Sequence, residues 1–159
     1  MKTLTALVVD DDTDTLDAFC ESIQLHQFRI VISTTSGVKV AKLYQKFKPD
    51  VVFLDVALPD YDGIYALEQI RKVDPNANVI MIAADVIKET AEKLDKLKAS
   101  TVIVYKPFHI VNMMDIAKAL TSTKNQDKCN FMEESLSSKK MEMLIVPKIQ
   151  IPNSEVHKI

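Results

Sequence analysis

Cysteine is scarce here, two in 159 residues, and the two positions, Cys20 and Cys129, form no Cys-x-x-Cys pattern. So wide a pair specifies neither a disulfide framework nor a thiolate metal site, and Cys20 reads as a small core residue on a helix. Long apolar runs are missing as well. Nowhere do about 18 apolar residues follow one another, the length a membrane-crossing helix needs. The short run Leu4–Val9 ends on three aspartates, which is the wrong length and the wrong flank for a secretory leader. A cytoplasmic location without membrane insertion is the expectation. Positive charge is not in excess: the formal net charge is −2, so the chain as a whole lacks the basic footprint that grips DNA. Internal repeats are absent, and His26, His109 and His157 are too scattered to suggest a metal site or acid-base pair.

What is present suits one globular domain with an appendage. Apolar residues make up 47% and charged residues 26%, a balance that supports a buried core. Compact apolar runs recur at Leu4–Val9, 28–32, 51–54, 79–82 and Thr101–Tyr105. Their Val and Ile content without polar alternation suits strands covered on both faces. Between and after them lie helical spacings: Leu16, Phe19, Cys20 and Ile23; Val40, Tyr44 and Phe47; Ile64, Leu67 and Ile70; Ile87, Ala91, Leu94 and Leu97; Met113, Ile116, Ala117 and Leu120. Ser36 is a candidate N-cap, and Pro49 and Pro75-Asn76 punctuate the chain before the third and fourth strands. Five β-α units in succession imply an α/β protein, doubly wound about a parallel sheet. Beyond residue 121 the pattern fades. The expected division is a domain over 1–121 and a C-terminal extension over 122–159. Within that extension, 141–151 is apolar but broken by Pro147, so it is not a central strand and could cover an edge, a face or a second copy.

In sheets of this kind ligands sit beyond the carboxyl ends of the strands. Those ends carry Asp10, Asp11 and Asp12, then Asp55, then Ala83, then Lys106. Crowded carboxylates raise one another's pKa unless a cation lies among them. Magnesium, which takes oxygen ligands, keeps several waters and binds through one or two carboxylates plus phosphate oxygens, fits so small a cluster. A carboxylate can also attack phosphorus to form an aspartyl phosphate, a transfer that mainly needs positioning and charge neutralisation. Asp55 is the candidate nucleophile, Asp10 and Asp11 the ion holders, and Lys106 the contact to a phosphoryl oxygen. Asp12 is the member of the triplet best suited to capping a helix; Asp60 and Asp62 read as turn and cap residues. Asp10, Asp12, Asp14 and Glu21 also fall at positions 1, 3, 5 and 12 of a calcium-binding EF-hand loop, but Thr15 stands where that loop needs glycine and a strand precedes it.

Val8-Val9-Asp10-Asp11-Asp12, then Val52-Phe53-Leu54-Asp55 leading into Leu58-Pro59-Asp60-Tyr61-Asp62-Gly63, then Tyr105-Lys106-Pro107-Phe108 together resemble the receiver domain of response regulators. The resemblance spans roughly residues 3–121. It implies a flavodoxin-like fold with strand order 2-1-3-4-5, and a Lys106-Pro107 bond that is often cis. It also implies magnesium-dependent transfer from the phosphohistidine of a histidine kinase or phosphotransfer protein to Asp55, with the Ala57 backbone carbonyl joining Asp10, Asp11 and Asp55 at the metal. Such a protein is not a turnover enzyme but a phosphoacceptor that promotes its own phosphorylation and dephosphorylation. It signals to an output protein, here unidentified, through the face formed by the segment around 87–97, the fifth strand and the last helix. Two departures bear on that signal. Ala83 stands where the family has Ser or Thr, and Ile103 where it has Tyr or Phe, so both halves of the usual switch are missing. The alternative is therefore a pseudo-receiver, an interaction module without regulated phosphorylation. The seven methionines read first as core fill, with Met113 and Met114 on the last helix as secondary interface candidates, and a homodimer is compatible with the apolar tail.

Overall fold

The computed structural model describes residues 3–84 and 101–122. Its elements are β1 (Leu4–Val9), α1 (Thr13–Gln24), β2 (Phe28–Thr34), a 3-10 turn (Gly37–Lys39) leading into α2 (Val40–Phe47), β3 (Val51–Asp55), α3 (Gly63–Val73), β4 (Val79–Ala83), β5 (Thr101–Tyr105) and α4 (Ile110–Ser122). All strand pairings are parallel, and the order is β2-β1-β3-β4-β5. This is the doubly wound sheet expected from the alternation of apolar runs and helical spacings.

The period-2 geometry of a strand explains how the sheet holds a core on each face. Ala6, Val8, Phe53, Ile80, Ile82, Val102 and Val104 point to one side and pack against Leu16 and Ile23 of α1 and the apolar stripe of α4. The intervening Leu7, Val9, Val52, Leu54, Val79, Met81, Ala83 and Ile103 point to the other, against α2 and α3. Because both faces are covered, β3 and β4 are buried along their whole length. On the first face Phe53 is met edge-on by Phe19 and Phe28, at centroid distances of 5.3 and 6.1 Å, an arrangement favoured by aromatic quadrupoles.

Local chemistry sets the helix starts. Asp12 is the N-cap of α1, its Oδ1 accepting from the Thr15 amide at 2.7 Å; Asp62 caps α3 in the same way through Tyr65 at 2.7 Å. The helix beginning at Thr13 also disposes of the calcium-loop reading, since Asp14 and Glu21 lie within it. Two expectations need correction. Ser36 occupies the cap position before the 3-10 turn but makes no side-chain cap bond there; its hydroxyl is taken by Asp60 at 2.7 Å. Phe47, expected on the buried stripe with Val40 and Tyr44, is exposed, because α2 ends there and Lys48 turns into the left-handed region at φ 43°. Met113 and Met114 follow the core-fill reading rather than the secondary interface one: both are buried in the core under α4. The helix expected around 87–97 and the extension beyond 122 lie outside the described residues.

Candidate functional site

The strand ends place Asp10, Asp55 and Lys106 together. Asp10 follows β1, with its amide bonded to the Thr34 carbonyl at 3.3 Å; Asp55 closes β3, and the next residue, Val56, donates to Ile82 of β4 at 2.9 Å. Lys106 follows β5 and is tied by its own amide to the Ala83 carbonyl at 2.8 Å; the bond from Lys106 to Pro107 is cis. From there its Nζ donates to Asp55 Oδ2 at 2.6 Å and lies 3.7 Å from Asp10 Oδ2. The other carboxylate oxygen of Asp55, Oδ1, accepts the Ala57 amide at 2.8 Å. Asp10 Oδ1 accepts the Asp12 amide at 3.0 Å, which joins the pocket to the start of α1.

The two acids are the buried polar residues of the described core, Asp10 at 7% and Asp55 at 4% exposure. Burial is the main reason that the Asp10 carboxyl is held above the usual carboxylate range; the charge of Asp55 and the hydrogen bond with it push the same way, while the Asp12 amide and Lys106 oppose them. Burial is also the largest influence on Lys106, and alone it would lower the ammonium's pKa. The hydrogen bond to Asp55 and the charges of Asp55, Asp10 and Asp11 together outweigh it, so Lys106 titrates above an ordinary lysine. One ammonium thus faces two buried carboxylates, a net negative site that favours a second cation. Among the described residues no set of three or more His, Cys, Asp or Glu side chains is gathered closely enough to hold an ion by itself. Two hard oxygen donors, with an ion's remaining positions left to water and phosphate oxygens, fit the chemistry of magnesium rather than that of a metal that needs an all-protein cage.

Not every expected residue enters the pocket. Asp11 is exposed at the rim and reaches Lys106 through its charge alone. Ala57 is exposed beside Asp55. Ala83 and Ile103 are buried and belong to the core beneath α2 and α3, so no hydroxyl at 83 and no aromatic ring at 103 borders the site. Asp60 does more than shape a turn. Its carboxylate accepts from the Ser36 hydroxyl and from the amides of Gly37, Val38 and Tyr61 at 2.7 to 3.4 Å, and that hydroxyl is the chief reason its pKa is lowered to about 2. It fastens the loop after Asp55 to the loop after β2. Ser36 and Asp60 stand 24 positions apart, a separation at which no local pattern signals the bond. Gly63 was legible only as part of the turn; a Cβ there would run into the Asp55 carbonyl oxygen and come within 2.8 Å of Val56 Cα.

A parallel five-stranded sheet with an acid pair and a lysine at its carboxyl edge defines the receiver class of signalling domain, and the chain belongs to that family. The family model for the response regulator receiver domain matches residues 6–118. The chemotaxis protein CheY of Halobacterium salinarum is 31% identical over 113 residues, 70% of this chain and 93% of that protein. CheY of Listeria monocytogenes is 37% identical over 81 residues, covering 51% of this chain and 68% of its own. Among solved structures, the CheX-CheY-BeF3-Mg+2 complex from Borrelia burgdorferi superposes with a TM-score of 0.67 at 25% identity, over 76% of this chain and 90% of that one. Among the described residues no helix is long and apolar enough to cross a membrane.

Proposed function

We propose that this receiver domain takes a phosphoryl group on Asp55 from the phosphohistidine of a histidine kinase or phosphotransfer protein. The observation that carries the reading is the contact of Lys106 Nζ with Asp55 Oδ2 at 2.6 Å, inside a pocket where both acids are buried. Asp55 Oδ1 is held by the Ala57 amide, and Oδ2, once Lys106 releases it, is the oxygen that meets phosphorus. Its lone pair forms the new O–P bond as the P–N bond of the phosphohistidine breaks, and the electron pair stays on the departing imidazole nitrogen. Lys106 passes from the carboxylate to a phosphoryl oxygen and neutralises the charge that Asp55 gives up. Asp10, Asp55 and the Ala57 carbonyl, with Asp11 at the rim, would hold a magnesium ion, which when bound supplies further neutralisation of the phosphoryl oxygens. Hydrolysis of the acyl phosphate by water returns the carboxylate and inorganic phosphate.

Residues 1–121 form the phosphoacceptor unit in this reading and 122–159 an extension to it; the output is a protein contact. Incubation with acetyl phosphate and magnesium followed by intact mass measurement tests it. One added phosphoryl group is expected on the wild type and none on Asp55→Asn. Ala83 and Ile103 favour a second reading, a pseudo-receiver working through contacts alone. Absence of any adduct on the wild type would decide for that.

A further inference from the structure

Charge is sorted by sign on the two helices that flank the edge strand β2. On α1, Asp14, Asp17 and Glu21 are exposed at spacing i, i+3, i+7, and Thr13–Gln24 contains no lysine or arginine. On the turn leading into α2, and on α2 itself, Lys39, Lys42 and Lys46 are exposed at the same spacing, and Val40–Phe47 contains no acid. Each set lies on one helical face. Among the described residues none of the six has an ion-pair partner. Like charges three and four positions apart repel within a helix, so each stripe carries a cost that an opposite stripe would relieve.

The two stripes cannot meet within one copy, because α1 packs on one face of the sheet and α2 on the other. Among the described residues β2 stands at the end of the strand order, with no strand on its outer side. We propose that this edge is the interface between two copies of the chain, with α1 of each lying beside α2 of the other. A twofold axis parallel to β2 exchanges the two faces of the sheet without reversing strand direction. Since all strands are parallel, α1 and α2 both run back against them and lie parallel across the contact. Asp14, Asp17 and Glu21 of one copy then align with Lys39, Lys42 and Lys46 of the other, and symmetry repeats the set. The exposed Leu25 and Phe47, each just past the last charge of its stripe, fall at the same end of the paired helices. The Asp55 pockets of both copies open in one direction.

Pairs of this exposed kind are weak and screened by salt, so the dimer is expected to be salt-sensitive. Sedimentation of the full chain should show self-association whose dissociation constant rises by about tenfold or more between low and high salt, as the screening length contracts. Lys39→Glu/Lys42→Glu/Lys46→Glu and, separately, Asp14→Lys/Asp17→Lys/Glu21→Lys should each sediment as monomers with wild-type circular dichroism. Mixed together they should form a one-to-one heterodimer, because both contacts are then complementary again. Neutral triple variants to Gln, whose folding is less at risk, should weaken the dimer to a lesser degree. A wild type monomeric at low salt, self-association unaffected by either reversal, or two folded reversal variants that fail to associate on mixing would each overturn the interface.

Discussion

At the scale of single residues the site is governed by one ammonium serving two acids. Lys106 is the described cation nearest both Asp10 and Asp55, and its removal has two opposite consequences. Lys106→Met should slow phosphorylation by acetyl phosphate by about two orders of magnitude, the usual loss when one preorganised charge-stabilising group is deleted. It should also tighten magnesium binding, since a positive charge that competes for the same carboxylates is gone; a titration followed by tyrosine fluorescence, in a chain without tryptophan, reads this out. Slower transfer with weaker magnesium binding would mean that Lys106 instead holds the pocket in shape. Asp60 gives a pH prediction. Its pKa is lowered from 3.8 to about 2, with the Ser36 hydroxyl as the chief cause, so the bond adds stability that is fully present above about pH 4 and lost as pH falls through about 2. In Ser36→Ala the Asp60 carboxyl should titrate closer to 3.8 by carbon-detected NMR. An unchanged value would assign the shift to the backbone amides.

At the scale of elements, the same loop is clamped twice, by Asp60 from the side and by α3 from behind. The Gly63 amide donates to the Val56 carbonyl at 2.8 Å, and no Cβ fits against the backbone of Asp55 and Val56. Gly63 does not have a positive φ, so the requirement there is closeness of approach rather than an unusual backbone. Gly63→Ala should cost about 1–3 kcal/mol, as overpacking does, measured by urea denaturation, and should lower the phosphorylation rate of the protein that remains folded. Full activity in a destabilised variant would separate the packing from the chemistry. The elements β4 and β5 carry a different consequence. With Ala83 and Ile103 packed in the core, a phosphoryl group on Asp55 would find no hydroxyl on β4 to pull inward. Amide shifts on adding beryllofluoride and magnesium should therefore centre on residues 10–12, 55–63 and 106, and in Ala83→Thr they should extend along β4 and β5. Equal spread in both proteins would show that the hydroxyl is not what carries the movement.

For the whole molecule, the 1–121 unit and the extension make separable claims. Deleting residues 123–159 should leave the receiver fold intact by circular dichroism, because the described helices already pack a buried cluster on each face of the sheet. Unfolding of the truncated chain would place part of the core in the extension. Much of the architecture was legible in advance, since apolar runs of strand length, alternating with helical spacings, have few solutions other than a parallel sheet covered on both faces. The pocket was legible for the same reason: that topology sends every strand's carboxyl end to one edge, and Asp10, Asp55 and Lys106 stand at those ends. Capping by Asp12 and Asp62 was also readable, because it depends on neighbours three positions away. Other features depended on long-range meetings that local pattern does not encode. Ser36 gave its hydroxyl to Asp60 rather than to a cap bond, Phe47 turned outward where α2 ends, and Gly63 was needed because α3 presses on the end of β3. Sequence periodicity thus determined which faces are buried and where the reactive groups emerge, because both follow from repeat geometry within each element. Only the tertiary structure decided which loops are fastened together and which charged helix faces stand apart on either side of the β2 edge, because those depend on residues that the chain brings near only after it has folded.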